Sequence, residues 1–221
     1  MDDVQVLDRT GTPILATNKL IRNTYTLLGL TLAFSALCAG LAIVLQVPFL
    51  SPWLVLIGYF ALLFLTTKFR NSGAGIVCVF ALTGFMGLTL GPILSYFLAT
   101  PHGSQLVMMA LGATAVIFFA LSAYALTTRK DFSFMAGFLF AGVLVAFLAG
   151  LAALFFNLPT LSLAVSAAFV LLASGLILFE TSQIVNGGET NYIMATVTLY
   201  VSLYNLFTSL LHLLSAFSGD D

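Results

Sequence analysis

Seven apolar runs occupy positions 24–47, 52–67, 74–99, 104–127, 132–157, 161–185 and 192–217 of the chain. A helix crosses a bilayer with roughly 20 apolar residues, so each run has about the length of a membrane span. Polar backbone groups inside lipid must find partners within the protein, which a helix provides. The fold class this predicts is an all-α membrane protein, a bundle of seven transmembrane helices. Only 7% of the 221 residues are charged, whereas a soluble domain carries about 25%. No soluble fold of this size covers its surface with so little charge.

Turn chemistry separates the runs at Pro48 to Pro52, Asn71-Ser72-Gly73, Pro101-His102-Gly103, Asn157-Leu158-Pro159 and Asn186-Gly187-Gly188. The second run is short, and its Thr66-Thr67-Lys68-Phe69-Arg70 end lengthens it by snorkelling. The expected layout is a polar tail over 1–22, a transmembrane domain over 23–218 and a short terminus over 219–221. The tail holds three aspartates and no long apolar core, so it does not read as a signal peptide.

Charge sets the direction. The basic residues are Arg9, Lys19, Arg22, Lys68, Arg70, Arg129 and Lys130, in the tail or after runs 2 and 4. The loops after runs 1, 3 and 5 have none. The positive-inside rule then predicts a cytoplasmic N-terminus, and seven crossings put the C-terminus on the outer side. Runs 2 and 4 end alike, in "LTTKFR" and "LTTRKD". This reads either as an internal repeat or as one solution used twice, cations placed at a cytoplasmic helix end.

Of eight acids, Glu180 alone falls inside a span. An intramembrane carboxylate is a functional-site candidate by default. Two readings stand: a proton- or cation-sensing group, or a structural ion pair with Lys68, Arg70, Arg129 or Lys130. Asp131, before run 5, reads as a helix cap. In run 7, Thr198, Ser202, Asn205, Ser209 and His212 recur at spacings of four, three, four and three, one polar stripe along a helix. The stripe reads as helix–helix glue or as the lining of a narrow polar path. Tyr200, Tyr204 and Phe207 fall off it. His212 lies near the outer end and reads as an interfacial histidine.

Several classes are excluded. The chain has no basic cluster for nucleic acid, no zinc H-E-x-x-H motif and no G-x-S-x-G nucleophile elbow. No span holds two acids, so an aspartyl dyad is ruled out. Cys38 and Cys78 have no metal spacing and read as small buried hydrophobes. No catalytic residue, cofactor or metal site is expected, and the partners in view are lipid and protein.

The segment "FETSQIVNGGETNYIMATVTLYVSLYNLF", residues 179–207, resembles the signature end of the Bax inhibitor-1 family of seven-span membrane proteins. "TTRKDFSFM" is similar to that family's loop before span 5, and the likeness runs from "RNTYTLLGLTLAFSA" onward. In detail it is most similar to the family's bacterial YccA branch. The resemblance implies a bundle in which two three-helix layers enclose span 7. In calcium-leak members, one acid in each of spans 6 and 7 forms a pH-sensitive latch. The first maps to Glu180 and the second to Ser202, so the second carboxylate is absent here. A latch in which two carboxylates share a proton cannot form as such. YccA-like proteins are associated instead with the membrane-anchored AAA protease FtsH, as slow substrates and modulators. The resemblance therefore implies a bacterial inner-membrane protein that binds FtsH and dampens its proteolysis, with a pH-sensitive cation leak as the alternative.

Overall fold

A computed structural model describes residues 14–218 and is all-helical over that range. The helices are α1 (Ile14–Val44), α2 (Pro52–Phe69), α3 (Gly73–Leu98), α4 (Gly103–Thr128), α5 (Ala136–Phe155), α6 (Pro159–Asn186) and α7 (Tyr192–Ser218). A 3₁₀ turn, Ser133–Met135, leads into α5. All seven helices are long and apolar enough to span a membrane.

Helix ends follow local chemistry. Ser51 caps α2, its Oγ accepting the Leu54 N–H at 3.4 Å, and Pro52 takes the first turn, where its missing N–H costs nothing. Arg129 and Asn157 adopt positive φ where α4 and α5 end, and Gly187 does so after α6. One boundary differs from expectation. α1 begins at Ile14, so the part of the expected tail from 14 to 22 is helical. Hydropathy marks only the lipid-buried stretch, whereas a nucleated helix propagates cheaply into polar sequence. The rest of the tail, 1–13, and the terminus 219–221 lie outside the described residues.

The chain forms two compact units. In the first, α3 packs against both α1 and α2, and the unit takes up Gly187–Tyr200. Glycine sets the closeness of α1 and α3. A Cβ on Gly87 would run into the main-chain carbonyl of Ser35, and one on Gly91 would meet Ala42. Small residues let membrane helices approach at the backbone. In the second unit, α6 packs against both α4 and α5, and the unit takes up α7 from Val201. Here leucine ends fill the space: Leu172 lies over Gly142, and Leu139 over Gly175. Leu139, Ala146 and Leu172 form a buried cluster with Phe169, Leu176 and Phe179 against it.

The similar endings of runs 2 and 4 fall on helices with different places in their units: α2 comes second in one, α4 first in the other. That favours one solution used twice. The threonines carry the solution. Thr66 and Thr67 donate to Leu62 O and Leu63 O, while Thr127 and Thr128 donate to Ala123 O and Tyr124 O. Each hydroxyl is satisfied by its own helix just before the cations.

Candidate functional site

The residues singled out above fall at two levels: the basic helix ends, and the interior of α6 and α7. At the end of α6, Ser182 is a hub. Its Oγ donates to Lys130 O at 2.9 Å and accepts the Phe132 N–H at 3.1 Å. Asn186 Nδ2 donates to Ser182 Oγ at 3.1 Å and to Lys130 O at 3.2 Å. The α4–α5 loop is thus pinned to the last turns of α6. The pinning uses the main chain of Lys130, so the side chains of Arg129 and Lys130 remain exposed.

Asp131 does not take the helix N-cap expected of it: it lies one residue before Phe132, the N-cap of the 3₁₀ turn, and closes a local turn onto Ser133. Its Oδ1 accepts from the Ser133 N–H at 2.8 Å and from the Ser133 hydroxyl. The Ser133 hydroxyl, and after it the Ser133 N–H, hold this exposed carboxyl below the usual carboxylate range.

The other unit has a parallel tie. Asn191 Nδ2 donates to Arg70 O at 2.9 Å and to Asn71 Oδ1 at 2.8 Å. Its Oδ1 accepts the N–H groups of Ile193 and Met194, at 3.0 and 3.1 Å, and so caps α7. Glu189 Oε1 accepts the N–H groups of Thr190 and Asn191. Again the carbonyl of a basic residue is bound while Lys68 and Arg70 stay exposed. The Lys68 ammonium lies 5.7 Å from the Phe69 ring centroid.

Inside the helices, Glu180 is 6% exposed on α6 and Ser202 is 1% exposed on α7. Thr198 and Asn205 are half-buried. Glu180, Thr198 and Ser202 each engage in a polar or electrostatic interaction. Ser209 is buried, and His212 Nδ1 lies 2.8 Å from Ser166 Oγ on α6. The histidine is therefore tied to a hydroxyl within its own unit. Residues 191–215 are all buried or half-buried, on the stripe and off it.

The most thoroughly tied residue of α7 lies off the stripe. Tyr200 is 2% exposed, with its hydroxyl 2.6 Å from Ser35 Oγ on α1. The same hydroxyl donates to Thr83 O on α3 at 3.2 Å. One turn earlier, Thr196 Oγ1 donates to Tyr192 O and to Thr24 O of α1. Sequence reasoning passed over Tyr200, Ser182 and Asn191. All three did carry a signal, since they lie in the 179–207 segment on which the resemblance rests.

A family model described as "Inhibitor of apoptosis-promoting Bax1" matches residues 17–219. The chain belongs to the Bax inhibitor-1 family. Among its relatives is the Escherichia coli (strain K12) protein named Modulator of FtsH protease YccA, 52% identical over 220 residues and covering 100% of both chains. A protein of Escherichia coli O6:H1 named Inner membrane protein YccA shows the same identity and coverage. An uncharacterised protein of Pseudomonas aeruginosa is 54% identical over 202 residues, 91% of each chain. In this Bax inhibitor-1 family member, the signature segment supplies the tie to the α4–α5 loop, the cap of α7 and the Tyr200 network. Its role seen here is structural: it fixes two basic loops against the ends of α6 and α7.

Proposed function

We propose that this protein is an inner-membrane regulator that binds the FtsH protease and dampens its proteolysis of membrane substrates, and that it is a slow substrate itself. The observation that carries this reading is full-length 52% identity to a protein named as a modulator of FtsH. The fold suits such a role. It is a helical membrane bundle whose two basic loops are held in place by Ser182, Asn186 and Asn191. It acts as a binding protein and not as an enzyme. The cation distribution favours a cytoplasmic N-terminus, which gives the protease a starting point at the segment before α1. The test is co-purification from detergent-solubilised membranes, beside a form lacking residues 1–13. The reading expects FtsH with the full chain and a longer lifetime for the truncated one. Absence of FtsH from the full-chain eluate overturns it.

Buried Glu180 favours a second reading, a proton-sensitive cation leak. The family latch needs a second acid, and Ser202 stands at that position. Under this reading Glu180→Gln removes the pH dependence of cation flux in vesicles and Ser202→Asp strengthens it, since neighbouring carboxylates push one pKa upward. If Glu180 is instead a tie to Lys68, Arg70, Arg129 or Lys130, Glu180→Gln lowers thermal stability and no flux is seen in either protein.

A further inference from the structure

α2 is the shortest span, 18 residues against 26 to 31 for α1, α3, α4, α6 and α7. It is also the least covered: 6% of its span is buried, whereas half of the α7 span is. Trp53, Leu54, Ile57, Phe60 and Phe64 are each at least half exposed. Lipid must therefore wet this helix along its length, and its anchors set where the bilayer surfaces lie. Trp53 marks one end, 60% exposed and the sole tryptophan of the chain. Lys68 and Arg70 mark the other. From Trp53 to Lys68 the helix rises about 22 Å at 1.5 Å per residue, whereas a hydrocarbon core is about 30 Å thick.

Neither tilting nor snorkelling hides that shortfall in full. Tilting shortens the projected span further. Snorkelling by Lys68 and Arg70, the remedy suggested by the sequence, recovers only part of it, because it acts at one end of the helix and adds nothing at the Trp53 end. What remains is for the bilayer to comply.

We propose that the α2 face is a short hydrophobic edge that gathers a locally thinned lipid annulus, preferring phospholipids with shorter acyl chains. α5 provides the internal contrast. With its leading turn its span covers 23 residues, and Phe138 on it is 71% exposed. That side should have no such preference.

Trp53 makes the test possible without labelling. The purified chain is reconstituted in dibrominated dioleoyl phosphatidylcholine mixed with dimyristoleoyl, dipalmitoleoyl, dioleoyl or dieicosenoyl phosphatidylcholine. Relief of Trp53 quenching gives the relative binding of each lipid at this face. The two shorter lipids should displace the brominated one about threefold better than dioleoyl, the ratio expected of a modest mismatch cost. A reporter moved to α5, Trp53→Phe with Phe138→Trp, should show no preference. Lys68→Leu, which extends the apolar face toward Arg70, should shift the Trp53 optimum to longer chains. If Lys68→Leu fails to fold, the two reporters still decide. An optimum at dioleoyl or longer for Trp53 overturns the proposal, as does the same preference at both reporters. Absence of quenching also overturns it, since protein then covers the face.

Discussion

The Tyr200 hydroxyl lies 2.6 Å from Ser35 Oγ, joining α7 to α1 across 165 positions of sequence, and it also reaches Thr83 O on α3. All three residues are buried. One phenol therefore ties three helices of the first unit, where no water competes for it. Tyr200→Phe keeps the ring and removes the tie. It should lower stability in detergent by about 0.5–1.5 kcal/mol, the range for a buried hydrogen bond between helices. Ser35→Ala should cost a similar amount, and the double variant less than the sum, because both remove one bond. Thermal unfolding of the four proteins checks this.

Gly87 tests the closeness of α1 and α3. Its absent side chain would collide with Ser35 main chain, which cannot swing aside. Gly87→Ala should destabilise by about 1–3 kcal/mol, the usual cost of overpacking. Gly40→Ala on α1, which has open space around it, should be close to neutral. Equal melting temperatures for the two variants would show that the helices separate freely.

The number of spans was legible because hydropathy alone reports it, and Glu180 was legible because a single acid stands out in apolar sequence. Tyr200 was not. Its value lies in Ser35 and Thr83, which are distant in sequence and meet it only once α1 and α3 have packed. Spacing identified a polar stripe on α7, yet residues off the stripe, Tyr200 among them, are as buried as those on it. Ser182 and Asn191 read as ordinary polar residues because what they bind is main chain, which looks the same at every position. The shortness of α2 was legible in its apolar run, but its exposure was not, because that depends on which helices pack beside it.

The loop ties predict protease sensitivity. Ser182→Ala removes the donor to Lys130 O and the acceptor of the Phe132 N–H. Trypsin should then cut after Arg129 or Lys130 several-fold faster, with little change after Arg70. Asn191→Ala should do the reverse, loosening the α2–α3 loop at Arg70. Limited proteolysis followed by mass spectrometry separates the two sites.

Asp131 gives a pH prediction. Its carboxyl is held below the usual range by the Ser133 hydroxyl and N–H, so the charged form is favoured in the folded loop. A lowered folded pKa adds stability above the unfolded value, about 3.9 for aspartate. That contribution disappears as pH falls through the folded value, and neutral pH leaves the loop unaffected. Carboxyl carbon NMR should give a midpoint below that of a free aspartate, and Ser133→Ala should raise it.

The most direct measurement is the rate at which FtsH, reconstituted in proteoliposomes, degrades a membrane substrate as increasing amounts of this protein are added. Modulation by binding predicts a rate that falls and then saturates, with this protein itself degraded more slowly than the substrate. A substrate rate unchanged at every ratio would contradict it.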